Sequence, residues 1–346
     1  MRSRPALVLG TLAVLTLASA VLAVGVGSVP IPPATTLRFF TGGSVDPTSA
    51  VLLQQVRLPR AATAILAGVG LAVAGLLMQT LFANPLADPF ILGVSSGASL
   101  GVAVAVLGGG TLAGGFVAGL GLTGRAGLVT SAALGALAVL LLVLLLGRWV
   151  RSVVALLLIG VMIGSATTAL VSLLLVFADP DRIQKFVLWG LGSVSGTTWP
   201  DLAFLAPAVL IGVALAAWIA PSLNAMLLGE SYAASMGVAV GRVRTAGIVA
   251  TAVTAGAVTA FCGPIAFVGI AVPHLARMAL GRADHRWLVP ASALMGAVVL
   301  QLCAVLAQLP GSDGVLPLNV VTAAIGAPVV IAALLRSRTL AAGAAA

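Results

Sequence analysis

Apolar residues run along this chain in blocks of roughly 20, and the charged residues collect in the short stretches between them. A helix needs about 20 apolar residues to cross the hydrocarbon of a bilayer. The blocks at 6–28, 60–82, 91–107, 126–147, 153–177, 202–220, 244–262, 288–309 and 317–335 are therefore read as spans. The stretch from Arg244 to Arg277 is too long for one helix and is interrupted by Gly263-Pro264, so a further span is expected at about 265–281, making ten. Another interruption lies at Asn84-Pro85-Leu86-Ala87-Asp88-Pro89, at the end of the second block. Pro85 cannot donate a backbone hydrogen bond and biases Asn84 away from helix. Irregular backbone at membrane depth is costly unless it is buried in protein or lines a cavity, so such a turn marks a pathway. The two interruptions echo each other: Asn84-Pro85-Leu86-Ala87 with Phe90-Ile91-Leu92-Gly93-Val94 is matched by Gly263-Pro264-Ile265-Ala266-Phe267-Val268-Gly269-Ile270.

Composition agrees with this pattern and narrows it. Hydrophobic residues are 61% of the 346 and charged ones 7%, whereas a soluble domain carries about 25% charged residues. The chain is read as a multi-pass membrane protein, a single transmembrane domain over 1–346 with a disordered alanine-rich tail at 341–346. The net charge of +9 is scattered in small groups between apolar runs, which does not suit a nucleic-acid reader with its one basic face. Short cytoplasmic loops collect Arg and Lys. Ten spans with both termini cytoplasmic place Arg2, Arg4, Arg148, Arg151, Arg242, Arg244, Arg277, Arg282, Arg286, Arg336 and Arg338 inside, eleven of the seventeen basic residues. Nine spans would push Arg336 and Arg338 outside. The first 23 residues have some look of a cleavable signal peptide, but their apolar run is long enough to span and is read as a retained helix.

Candidate chemistry is sparse. A phosphate-binding loop needs a lysine after its glycines, and the chain's one lysine, Lys185, is followed by Phe186. The span interiors hold no Asp or Glu, and no Lys or Arg but Arg277 near the end of the span at about 265–281, which weighs against an ion-coupled secondary carrier with ionisable groups at mid-membrane, although carbonyls can also hold sodium. Cys262 and Cys303 sit in apolar segments and read as buried hydrophobes. His274 and His285 read as packing or loop residues, and no catalytic or metal-ligating constellation is present, so the chain is not read as an enzyme.

Residues 221–242 are too polar to span yet apolar at helical spacing, which suits a short amphipathic helix facing a partner's groove or lying on the membrane. The absence of Lys and Arg within that helix disfavours the membrane surface. Arg57 and Arg60 stand at the expected outer end of the second span, with no acidic residue between Asp46 and Asp88 to pair with them. Such a pair can grip carboxylates on a docking protein or anchor lipid headgroups.

These stretches together resemble a known family. Arg57-Leu58-Pro59-Arg60, the Asn84 to Pro89 turn and Gly93-Val94-Ser95-Ser96-Gly97-Ala98 are followed in order by Leu228-Gly229-Glu230, Ala233-Ala234-Ser235-Met236-Gly237, Val272-Pro273-His274-Leu275-Ala276-Arg277, Asp284-His285-Arg286 and Pro317-Leu318-Asn319-Val320-Val321-Thr322. The pattern is similar to the FecCD-family permease subunits of importers for iron-siderophores, haem and cobalamin. The resemblance implies an all-α polytopic fold of about ten transmembrane helices, that of type II ABC importer permeases, in the bacterial cytoplasmic (inner) membrane. It implies a homodimer, or a pair with a paralogous permease, two copies of a separate ATPase subunit carrying ATP and Mg, an extracytoplasmic substrate-binding protein, and no cofactor on this chain. Leu228, Gly229, Glu230, Ala233, Ala234, Met236 and Gly237 would dock on the ATPase, Arg57 and Arg60 on the binding protein, and Asn84, Pro85 and Leu86 would form the cytoplasmic gate. The expected cargo is a ferric siderophore, with haem or cobalamin as alternatives. The chain departs from some relatives at 309–316, which carries Asp313 and no arginine.

Overall fold

The computed structural model describes residues 3–108, 124–147, 149, 153–308 and 314–344. Every regular element among them is helical. In chain order these are α1 (Ser3–Gly25), α2 (Pro33–Phe40), α3 (Pro47–Val51), a π turn (Leu52–Arg57), α4 (Leu58–Leu81), a 3-10 turn (Pro89–Leu92), α5 (Val94–Leu107), α6 (Gly124–Gly147) and α7 (Val153–Val176). They continue as α8 (Pro180–Gly190), α9 (Trp199–Met226), α10 (Glu230–Ser235), α11 (Val240–Cys262), α12 (Val268–Leu280), α13 (His285–Ala307) and α14 (Leu318–Ala344). Each of the ten expected spans has its helix: α1, α4, α5, α6, α7, α9, α11, α12, α13 and α14.

Local chemistry sets several boundaries. Asp46 accepts from the N–H of Ser49 ahead of Pro47, and Asp284 accepts from that of Arg286 at the start of α13, as N-caps do. Thr198 and Asp201 form a reciprocal capping box at α9. The helical path into α4 runs back to Pro47, well before the expected start at 60. Pro59 is carried without a break because the turn before it widens to π geometry, which relieves the clash a proline ring makes with the carbonyl four residues earlier. Near that turn, the indole Nε1 of Trp199 donates to the Gln54 carbonyl at 2.9 Å.

Polar bonds sort the helix ends into two opposed surfaces. At one, Arg125 pairs with Asp201 at 3.0 Å and the Ser193 N–H donates to the Cys262 carbonyl. At the other, called here the basic end, the last turns of α4, α9 and α12 meet the first turn of α13, segments that carry Arg277, Arg282 and Arg286, and Arg244 pairs with Glu230. Between them α4 is the central post, buried along most of its length among α9, α11, α12 and α13. α1 lies along α13, where the Ser19 hydroxyl donates to Gln301 Oε1 at 2.5 Å, so the first helix is part of the packed body.

The post is held by small residues. A Cβ on Gly75 would enter the carbonyl of Gly269 in α12, and Gly68 and Gly296 meet in the same way, the close backbone approach that small residues allow in membranes. Gly75→Ala should therefore cost about 3 kcal/mol through overpacking, seen as a fall in thermal midpoint of the purified protein in detergent. Gly10→Ala, which meets open space, should leave it unchanged.

Two helices are too short to cross. α5 has 14 residues and α12 has 13, about 20 Å each against roughly 30 Å of hydrocarbon. Each follows one of the two interruptions read from sequence. Residues 341–344 of the expected tail continue α14. Arg2, Arg148, Arg151 and most of the 309–316 loop, Asp313 included, lie outside the described residues.

Candidate functional site

The first interruption is a built turn. α4 closes with the N–H of Asn84 on the Gln79 carbonyl and that of Ala83 on the Thr80 carbonyl, a termination that puts its penultimate residue in the left-handed region. Here that residue is Ala83, at φ 46°. The other non-glycine residue at positive φ among those described is Phe267, at φ 68°, directly before α12. Both strained positions thus fall at the two helix breaks, where strain is commonly stored for function. The Asn84 side chain accepts from the Leu86 N–H at 2.9 Å, folding Pro85 and Leu86 into a tip on which Leu86 is 40% exposed. Asp88 then caps the 3-10 turn through the Phe90 N–H at 2.7 Å. Burial pushes its carboxyl up to about 6, against the pull of that bond. The turn borders a groove of about 430 Å³ between Phe90, Ser96 and the small-residue face of α7, where Gly160, Gly164, Ser165 and Thr168 line it. Sequence reading missed this face, although the i, i+4, i+8 spacing of Gly160, Gly164 and Thr168 on one helix was a usable signal.

The expected coupling segment is shorter than 221–242. α9 runs on through Pro221 to Met226 and α11 begins at Val240, leaving α10 as the isolated helix. Gly229 (φ 104°) and Gly237 (φ 84°) bracket it in conformations that suit glycine. Gly237 ends the helix, its N–H on the Ala234 carbonyl and that of Val238 on the Ala233 carbonyl. Leu228 before Gly229, Tyr232 on α10 and Met236 at its end are exposed apolar residues, at 65%, 54% and 60% exposure. Tyr232 was not among the residues expected here. Ala233 was, but it is fully buried against the helix bundle and cannot meet a partner. Glu230 is tied inward by an ion pair with Arg244 at 2.6 Å.

Just inside the bundle, the last turns of α4 and α9 meet the first turn of α13. Asn224 Nδ2 donates to Asp284 Oδ1 at 2.6 Å, while Asn224 Oδ1 accepts from the His285 backbone N–H at 2.8 Å. His285, almost fully buried, places Nδ1 2.8 Å from the same Asn224 oxygen and Nε2 2.8 Å from the Thr80 hydroxyl. For Asp284 burial opposes ionisation, but the Arg286 N–H, the Asn224 amide and the charges of Arg286 and His285 outweigh it, and its carboxyl lies below the usual value. One turn away, Arg277 donates to Gln79 Oε1 at 2.7 Å and Gln79 Nε2 donates to the Ile270 carbonyl at 3.1 Å. His274 is spent on the Ile270 carbonyl of its own helix, Nδ1 at 2.9 Å.

Arg57 and Arg60 correct an expectation. Sequence offered them no local partner, and both were read as reaching outward to a docking protein. Instead both side chains turn in, each residue 4% exposed. Arg57 donates to the carbonyls of Val24, Gly25 and Val29, and Arg60 to those of Ala23 and Val26. The last carbonyls of a helix have no partner within it and carry its negative dipole end, so α1 supplies what a cation needs. The pair is a clasp on the end of α1, with both side chains directed into the protein. Arg60→Ala, which leaves buried carbonyls without a donor, should cost about 1–3 kcal/mol. Thermal unfolding in detergent reads this, with the exposed Arg38→Ala as the neutral control.

Comparison with known proteins follows the same lines. The family model described as the FecCD transport family matches residues 15–336. The haemin transport system permease protein HmuU of Yersinia pestis is 33% identical over 338 residues, covering 97% of this chain and 98% of that protein. The vitamin B12 import system permease protein BtuC of Vibrio cholerae is 38% identical over 289 residues, 83% of each chain. A solved structure described as the inward-facing conformation of an ABC transporter of metal-chelate type superposes with a TM-score of 0.82 at 31% identity, covering 95% of this chain and 98% of that one.

Proposed function

This chain belongs to the FecCD transport family, and from that membership we propose that it is the permease subunit of an ATP-driven importer that carries a bulky metal chelate inward. The observation that carries the reading is the exposure of Leu228, Tyr232 and Met236 before, on and at the end of α10, a short helix bracketed by Gly229 and Gly237. Exposed apolar side chains beside an acidic residue on such a segment suit a groove on a partner protein. ATP and Mg would be bound by that partner, in two copies, one for each permease.

The basic end faces the cytoplasm by the positive-inside rule, which also puts this segment on the side where ATP is available. Two permease copies about a two-fold axis are the common arrangement for such assemblies. Here the exposed apolar faces of α7 (Leu158, Met162, Leu173) and α14 (Val320, Ile331) offer the seat, and Leu86 of each copy closes the inner mouth with Asn84 and Pro85. A substrate-binding protein docks at the opposite end through groups other than Arg57 and Arg60. The cargo we assign is a ferric siderophore. Haem and cobalamin are the other chelates consistent with the family, since relatives are named for haemin and vitamin B12.

A strain lacking this chain, supplied in turn with a labelled ferric hydroxamate, haemin and cobalamin, tests the cargo. Loss of accumulation of the ferric hydroxamate alone, restored by the chain, is expected. Loss of haemin or cobalamin instead would reassign the cargo, and no loss of any would overturn chelate import.

A further inference from the structure

We infer that His285 is a positioning residue that links the ATPase-docking segment to the gate, so that movement of α10 is carried to the Asn84–Leu86 turn through one imidazole ring. The inference rests on the docking and gating roles proposed above and adds what joins them. Asn224 stands in the last turn of α9, six residues before Glu230 opens α10. Thr80 stands in the last turn of α4, four residues before Asn84. Thr80 and Asn224 belong to different helices, and the His285 ring holds a hydrogen bond to each.

The protons on this bridge can be assigned. Asn224 Nδ2 faces a carboxylate and its Oδ1 faces a backbone N–H, which fixes the amide's orientation. The ring Nδ1 facing that same oxygen must therefore carry a proton and donate. In the neutral ring Nε2 is then an acceptor, and the Thr80 hydroxyl donates to it. Thr80 has a second acceptor for its single proton, the Leu76 carbonyl at 2.9 Å. The hydroxyl thus has two settings, one that ties the end of α4 to α13 and α9 and one that returns it to its own helix. Hydrogen bonds weaken steeply with length and angle. A displacement of α9 of about 1 Å, the size of helix shifts in many switching proteins, either drags the end of α4 with it or releases Thr80. Either outcome alters the hold on Ala83, the strained residue from which the gate turn hangs.

The tie from Gln79 to Arg277 and the Ile270 carbonyl fixes the neighbouring residue of α4 to α12, so the last turn of the post is gripped on two sides. Of the two grips, the one through His285 leads to α9 and the docking segment.

The test uses the full permease with its ATPase in lipid vesicles and a cysteine at Leu86 in a chain whose Cys262 and Cys303 are replaced. The rate of maleimide labelling is read with and without ATP and vanadate. In the otherwise unchanged chain, nucleotide should change labelling about tenfold. Thr80→Val and His285→Asn, the latter keeping a donor for Asn224 but too short to reach Thr80, should remove most of that response while the ATPase stays bound. About tenfold is the factor that one lost hydrogen bond of this kind imposes on a two-state equilibrium. Thr80→Ser keeps the hydroxyl and should restore the response, which loss of packing alone would not permit. A full response in both Thr80→Val and His285→Asn overturns the link and leaves the gate standing. No response in the otherwise unchanged chain overturns the gate reading and the link with it.

Discussion

Cysteines at Leu86, in a chain freed of Cys262 and Cys303, are expected to cross-link between two permease copies when the inner mouth is closed, and to stop uptake almost completely until reductant is added. The two native thiols are buried, so their replacement by serine or alanine leaves the surface as it is. Leu86 is placed at an exposed tip by the Asn84 side chain, and a disulfide forms only if two such tips meet with their Cβ atoms roughly 3.5–4.5 Å apart. The effect is large because a covalent bond across a pathway blocks every turnover. Cross-linked and reduced samples are compared by gel mobility and by uptake of labelled chelate in vesicles. Cross-linking that leaves uptake intact, or its absence in every nucleotide state, would make the turn an ordinary loop.

The second large effect belongs to the docking segment. Tyr232→Asp with Met236→Asp should abolish co-purification of the ATPase, because each removes an exposed apolar anchor and puts a carboxylate in a desolvated groove. Interface anchors of this type are worth about 2 kcal/mol or more each, and two of them weaken association by roughly a thousandfold. Glu230→Arg is also expected to uncouple or dissociate the ATPase while the permease stays inserted. That residue holds Arg244 as well, so the exchange of both, Glu230→Arg with Arg244→Glu, separates loss of the internal pair from loss of the dock. Normal stimulated ATP turnover in the Tyr232 and Met236 variant would remove α10 from the interface.

The helices and the breaks between them were legible because hydrophobic length and Pro/Gly punctuation are local. Asn84-Pro85 and Gly263-Pro264 announced the interruptions, and the short α5 and α12 follow them. What sequence withheld was tertiary. Arg57 and Arg60 find their acceptors among the carbonyls of residues 23–29, at and just beyond the end of α1, so a search for nearby carboxylates had nothing to find. The π turn at Leu52–Arg57 has no residue signature apart from the proline it accommodates. Ala83 gives no hint of positive φ, since alanine there is a departure from the glycine or asparagine that local rules lead one to expect. Residues 80, 224 and 285 are far apart in the chain, and their junction exists only once α4, α9 and α13 are packed.

The most direct measurement is transport itself. The permease, its ATPase and its binding protein are placed in sealed vesicles with ATP and Mg on the docking side, and labelled ferric hydroxamate is offered on the other. The account predicts accumulation on the ATP side that requires hydrolysis, requires the binding protein and persists when ion gradients are collapsed. Accumulation that follows a proton or sodium gradient without ATP would contradict it.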